Sequence, residues 1–207
     1  MSPLLLDPNA VFLNIPYDEE FRSLYVAYIV GLYQLNLVPH LASEIPGGAR
    51  RLDRIFELIQ SCRYSIHDLS RVEVSPAPSS APRFNMSLEL GMTITWERLN
   101  PDQHTWFVWE SEPYRLQRSA SDLNGTDPYI HNGTPEGVLR ELCNAFRRNP
   151  TPSVPKMLEL YRFVNSGLDA FLKKNGTRNP YDRSVFMDLC WVSSRLTELL
   201  RGHTSQS

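Results

Sequence analysis

Between residues 18 and 35 the apolar positions Phe21, Leu24, Tyr25, Tyr28, Ile29, Leu32 and Leu35 recur at intervals of three and four, which predicts an amphipathic helix. Asp18, Glu19 and Glu20 stand at its start, where the helix dipole favours negative charge. Before it, residues 11–15 form a short apolar run closed by Pro16, a strand that ends where proline offers no amide donor. The same alternation continues: a strand over 37–41, a helix over 51–62 with Leu52, Ile55, Phe56 and Ile59 on one face, and a strand over 64–69. A proline- and serine-rich loop over 72–82 leads to a helix in which Phe84, Leu88, Met92 and Thr95 share the inward face. A strand over 105–110, a short helix over 114–123, a brief strand over 128–130 and a helix over 137–148 complete the pattern. Strands alternating with helices imply a parallel sheet, so the expected fold is α/β, with a five-stranded doubly wound sheet over residues 10–149. A linker follows over 150–155, then a helical hairpin over 156–201. Its arms carry Leu158, Tyr161, Phe171, Phe186 and Trp191, an apolar stripe that must be buried in this chain or against a partner. Pro46-Gly47-Gly48 reads as a turn, and the tail from Gly202 as frayed.

Charge narrows the partners. With 21 basic and 23 acidic residues the net charge is −2, too little cation to neutralise a run of phosphates, so duplex nucleic acid is not expected. No apolar run approaches the roughly 20 residues of a membrane span. The start, Met1-Ser2-Pro3, lacks a signal-peptide pattern, and the expectation is a cytoplasmic protein with no membrane partner. Cys62, Cys143 and Cys190 are too scattered for a disulfide framework or a zinc spacing and are expected as reduced thiols. All cations but Lys156, Lys173 and Lys174 are arginines, which suit planar contacts to anions.

In an open parallel sheet, ligands bind beyond the carboxyl ends of the strands. That rule selects Asn14 and Tyr17 after the first strand, Asp68, Ser70 and Arg71 at the end of the third, and Phe84, Asn85 and Glu89 on the helix that follows. Asn85 and Glu89 lie four apart on one helical face, and Glu89 is expected at the rim of the cleft. A cleft carboxylate can act as a nucleophile or stabilise an oxocarbenium-like centre, as in glycosyl transfer. Asp68 can receive ribose hydroxyls or act as acid or base. His67, on the opposite strand face from Asp68, reads as a core residue. The other histidines form no ligand pair, so no metal is expected. There is no Gly-x-Gly-x-x-Gly, no P-loop and no Gly-x-Ser-x-Gly elbow.

The runs Val11-Phe12-Leu13-Asn14-Ile15-Pro16-Tyr17-Asp18-Glu19-Glu20-Phe21, Cys62-Arg63-Tyr64-Ser65-Ile66-His67-Asp68-Leu69-Ser70-Arg71 and Arg83-Phe84-Asn85-Met86-Ser87-Leu88-Glu89-Leu90-Gly91 resemble a bacterial family related to nucleoside 2-deoxyribosyltransferases and TIR domains. Tyr114-Arg115-Leu116-Gln117 and Ser121-Asp122-Leu123-Asn124-Gly125 are similar to the same family, and the resemblance covers residues 10–148. It implies a flavodoxin-like sheet, Glu89 as the residue meeting the anomeric carbon and Asp68 as a ribose-binding or assisting one. Asn14, Tyr17, Ser70, Arg71, Phe84 and Asn85 become substrate-binding candidates. The activity so implied is cleavage or cyclisation of NAD+, taken as substrate and not as a cofactor, and by analogy a role in antiphage defence signalling. Two other readings stand beside it: a deoxyribosyltransferase or deoxynucleoside hydrolase, and a non-catalytic nucleotide-sensing module. The expected partner is a small nucleotide or nucleoside, with homo-oligomerisation through the C-terminal helices.

Overall fold

The computed structural model describes residues 6–44, 50–73, 83–123, 125–148 and 151–204. The turn expected at Pro46-Gly47-Gly48, most of the loop over 72–82, and the first residue of the linker lie outside the described residues. Five parallel strands form one sheet in the order β2-β1-β3-β4-β5: β1 (Asp7–Asn14), β2 (Val38–His40), β3 (Cys62–Asp68), β4 (Thr105–Glu110) and β5 (Tyr129–Ile130). This is one of the two common orders of doubly wound α/β sheets, and the strand sequence reverses between β1 and β3. The chain divides into two compact units, Met1–Pro16 with His40–Asn132, and Tyr17–Pro39 with Gly133–Ser207.

The first unit holds most of the sheet. In β1, Val11, Phe12 and Leu13 are all fully buried, the continuous apolar run of a strand covered on both faces. Asn14 stands beside His67 in the β1–β3 register, Asp68 beside Trp109 in β3–β4, and Glu110 beside Ile130 in β4–β5. Helix α2 (Arg51–Ser61) inserts Ile55 and Ile59 against Ala10, Phe12 and Cys62. Its Phe56 meets Trp96 of α3 (Phe84–Leu99) edge to face at 5.8 Å. Met86 and Leu90 of α3 pack with Leu69, Val108 and Leu116, the last from the short α4 (Arg115–Ser119).

Helix α3 has the expected period but not the expected phase. Phe84 and Leu88 are 71% and 55% exposed, and the buried stripe is Met86, Glu89, Leu90 and Thr93. Apolar side chains occur all round this helix, so spacing alone could not select the inner face. The consequence is a correction to the site: Glu89 is not at an open rim but is 4% exposed.

The second unit is helical: α1 (Arg22–Gln34), α5 (Pro135–Ala145), α6 (Val154–Ser166), α7 (Leu168–Lys174) and α8 (Arg183–Thr204). Helix α1 is buried over nearly every residue from Leu24 to Leu32, not on a single face, and packs against α5, α6 and α8. At Gly31 a Cβ would lie 2.5 Å from Leu142 Cδ1 and 2.8 Å from Leu139 Cδ2 of α5, so any larger residue would force those two leucine side chains to shift. Thr134 caps α5, its Oγ1 accepting from the Gly137 amide at 3.0 Å. The first arm of the expected hairpin is broken at Gly167 into α6 and α7, and α8 continues past Gly202 to Thr204. Of the apolar stripe, Tyr161 and Phe186 are buried while Trp191 is 66% exposed. No helix among the described residues is long and apolar enough to cross a membrane.

Candidate functional site

The carboxyl ends of β1, β3, β4 and the turn after β5 present, in order, Asn14, Asp68, Glu110 and His131, all buried. Each ends or directly follows a strand. A polar side chain placed there must find a partner within the protein or on a ligand.

Asn14 uses both hydrogens of its carboxamide. Its Nδ2 donates to the Met86 carbonyl in the first turn of α3 at 2.9 Å, and lies 3.0 Å from His67 Nδ1. Behind His67 a file of polar groups runs through the interior: His67 Nε2 to Ser65 Oγ at 3.0 Å, Ser65 Oγ to His104 Nε2 at 3.0 Å, and His104 Nδ1 to the Cys62 carbonyl at 2.8 Å. His67 is the core residue that its strand parity predicts, with Phe12 edge to face at 6.3 Å. Burial, reinforced by His104, pushes the His67 imidazolium down to about 3, and burial lowers His104 as well. Both rings are therefore neutral at neutral pH.

Glu89 points inward from the second turn of α3. Burial raises its carboxyl from the ordinary 4.5 to about 7, opposed by the charge of Arg51 and a hydrogen bond with the Asn85 side chain. A carboxyl so placed is partly protonated at neutral pH, and an arriving cation would favour its ionised form. Asn85 itself is exposed, one residue before the carbonyl that holds Asn14.

Asp68 is tied locally. Its Oδ1 accepts from the Ser70 amide at 3.1 Å and the Ser70 hydroxyl at 2.6 Å, and its Oδ2 lies 3.3 Å from His131 Nε2. Glu110, on the neighbouring strand, lies 3.3 Å from Arg115 Nε through Oε2, and Arg115 Nη2 is 3.4 Å from Glu73. Burial raises the Glu110 carboxyl to about 7. Arg115 opposes this, Asp68 adds to it, and a Ser111 amide and His131 oppose it more weakly. The charge of Asp68 thus acts on Glu110, whereas the charge acting on Glu89 is that of Arg51.

The remaining candidates are more dispersed. Ser70 is buried, and the Arg71 carbonyl accepts from Arg83 Nη1 at 3.2 Å. Phe84 lies exposed at the start of α3. Tyr17 belongs to the second unit, stacked on Tyr181 with ring centroids 4.9 Å apart. The residues passed over from sequence are Glu110, His131 and Arg115. Glu110 carried the same signal as Asp68, a carboxylate closing a strand. Tyr114, next to Arg115, is 80% exposed and holds φ at +62°, a left-handed conformation uncommon for a bulky side chain.

Among the described residues no group of His, Cys, Asp and Glu has the makings of a metal site. No family model, curated protein or solved structure matches the chain.

Proposed function

We propose that the chain breaks or transfers the N-glycosidic bond of a small nucleotide, with NAD+ the best-fitting substrate. The observation that carries this reading is Glu89: a carboxyl on the helix after β3, buried and raised to about 7, on a helix whose first turn is held by the strand-end amide of Asn14. The positive charge of a ribosyl-pyridinium would favour ionisation of Glu89, whose proton passes to water. The C1′–N bond then breaks with its electron pair going to the nicotinamide nitrogen, which leaves neutral. The carboxylate faces the oxocarbenium-like C1′, and water adds there with loss of a proton. Asp68, held by Ser70 and His131, accepts sugar hydroxyls in this reading, and exposed Phe84 offers a stacking face to a base.

A second reading has its own observation. Glu110 is also raised to about 7, so a second carboxyl is partly protonated at neutral pH. A purine leaving from a deoxynucleoside needs a proton, which a pyridinium does not. Deoxyribosyl transfer or hydrolysis would use that acid.

The test is a mass-spectrometric turnover assay offering NAD+ and deoxynucleosides to wild type, Glu89→Gln and Glu110→Gln over a range of protein concentrations, because we also propose assembly into homo-oligomers. Nicotinamide release lost in Glu89→Gln and retained in Glu110→Gln supports the first reading. Base exchange or base release lost in both supports the second. Equal turnover by wild type and Glu89→Gln refutes both.

A further inference from the structure

The file Asn14–His67–Ser65–His104 has a fixed direction, set independently from its two ends. At one end the Met86 carbonyl can only accept, so the Asn14 atom 2.9 Å from it is the amide nitrogen, and the same NH2 group donates to His67 Nδ1. A neutral His67 that accepts at Nδ1 carries its proton on Nε2 and donates to Ser65 Oγ. At the other end the Cys62 carbonyl can only accept, so His104 carries its proton on Nδ1 and accepts at Nε2. The Ser65 hydroxyl joins the halves, accepting from His67 and donating to His104. Every donor is used once and no group faces its own kind.

We propose that this polarised file is a positioning device, in which His67 holds the Asn14 carboxamide with both hydrogens turned inward so that Asn14 meets the ligand only as an acceptor, selecting a sugar hydroxyl. Among the described residues Asn14 Oδ1 accepts no hydrogen bond. It stands at the carboxyl end of β1, beside β3, where the strand order reverses. A phosphate or carboxylate has no hydrogen to give it, whereas a ribose or deoxyribose hydroxyl does. Flipping the amide would set Oδ1 against the Met86 carbonyl and His67 Nδ1, two acceptors, so the orientation is not free to adapt. The ligand class rests on the glycosidic reading above; the direction of the file does not.

Two measurements separate them. Long-range proton–nitrogen NMR of the full chain should show His67 as the Nε2–H tautomer and His104 as the Nδ1–H tautomer, both neutral from pH 7 to 8. The same tautomer in both rings, or an imidazolium in that range, overturns the proposal whatever the ligand. Titration with adenosine and 2′,3′-dideoxyadenosine reads the acceptor role. Wild type should prefer adenosine by well over tenfold, because dideoxyadenosine lacks both ribose hydroxyls and leaves Asn14 and Asp68 without their donors. His67→Asn keeps an acceptor near the Nδ1 position and should retain most of that preference, whereas His67→Leu should reduce it by about tenfold, the share of the one hydroxyl that Asn14 receives. Equal weakening of both nucleosides in His67→Leu, with the preference intact, marks His67 as merely structural and overturns the positioning role. Opposite tautomers with neither nucleoside bound by wild type overturn the ligand assignment and the functional reading together. Should His67→Leu not fold, the His67→Asn comparison and the tautomers still decide.

Discussion

Replacing Glu89 with Gln should make the protein more stable, and increasingly so as pH rises. Glu89 is 4% exposed, and its carboxyl is raised from 4.5 to about 7, chiefly by burial. Between those values the folded state binds a proton that the unfolded state has released, so stability falls as pH rises through this window and levels off above it. At ~1.4 kcal/mol per pH unit, the ionised carboxylate costs the folded state about 1 kcal/mol at pH 5 and about 3 kcal/mol at pH 8. Gln has nearly the same shape, can keep a hydrogen bond with Asn85 and carries no charge to desolvate. Urea unfolding of wild type and Glu89→Gln at half-unit steps from pH 5 to 8.5 checks this, since contributions shared by both proteins, Glu110 included, cancel in the difference. The stability gain should grow by about 2 kcal/mol across the range. A difference that does not change with pH, or a variant less stable at every pH, would refute the claim that this carboxyl is held against its own solvation. A gain in stability with a loss of activity is what a functional group kept in an unfavourable place should show.

Three further outcomes follow from the packing. Leu90→Ala should cost about 2–5 kcal/mol while Leu88→Ala stays within roughly 0.5 kcal/mol, a pair of urea titrations that reads the phase of α3 directly. Gly31→Ala should destabilise by about 1–3 kcal/mol, because its methyl would collide with Leu139 and Leu142; an unchanged melting temperature would contradict the close approach of α1 and α5. Arg115→Ala removes the cation that opposes protonation of Glu110, so its carboxyl should titrate above 7, with the loss of stability larger at pH 8 than at pH 6.

The strand ends were legible because chemistry marks them. Pro16 bars continuation after β1, and Asp68 closes a strand that pairs with two neighbours. From these, Asn14, Asp68 and Ser70 could be placed at one edge of a parallel sheet. The inward face of α3 was not legible, since Phe84 and Leu88 are as apolar as Met86 and Leu90, and two of its four buried positions are Glu89 and Thr93. What decides that face is tertiary: Met86 presents its carbonyl to Asn14, and Leu90 reaches Val108 and Leu69. Tyr17 illustrates a different limit, adjacency in sequence to Asn14 giving no hint that its ring stacks on Tyr181, more than 160 residues away. His131 was hidden by the brevity of β5, only two residues long, which leaves no periodic signal to point at the residue beyond it. Glu110 needed no structure: the rule that selected Asp68 applied equally to Trp106-Phe107-Val108-Trp109-Glu110.

The central claim is that Glu89, in its ionised form, drives departure of a base from a sugar, and the pH dependence of nicotinamide release from NAD+ tests it most directly. kcat/KM should rise with pH and level off with an apparent pKa near 7, following the free-enzyme ionisation of Glu89, and Glu89→Gln should abolish release across the range. Release that persists in Glu89→Gln with an unchanged pH profile would contradict it.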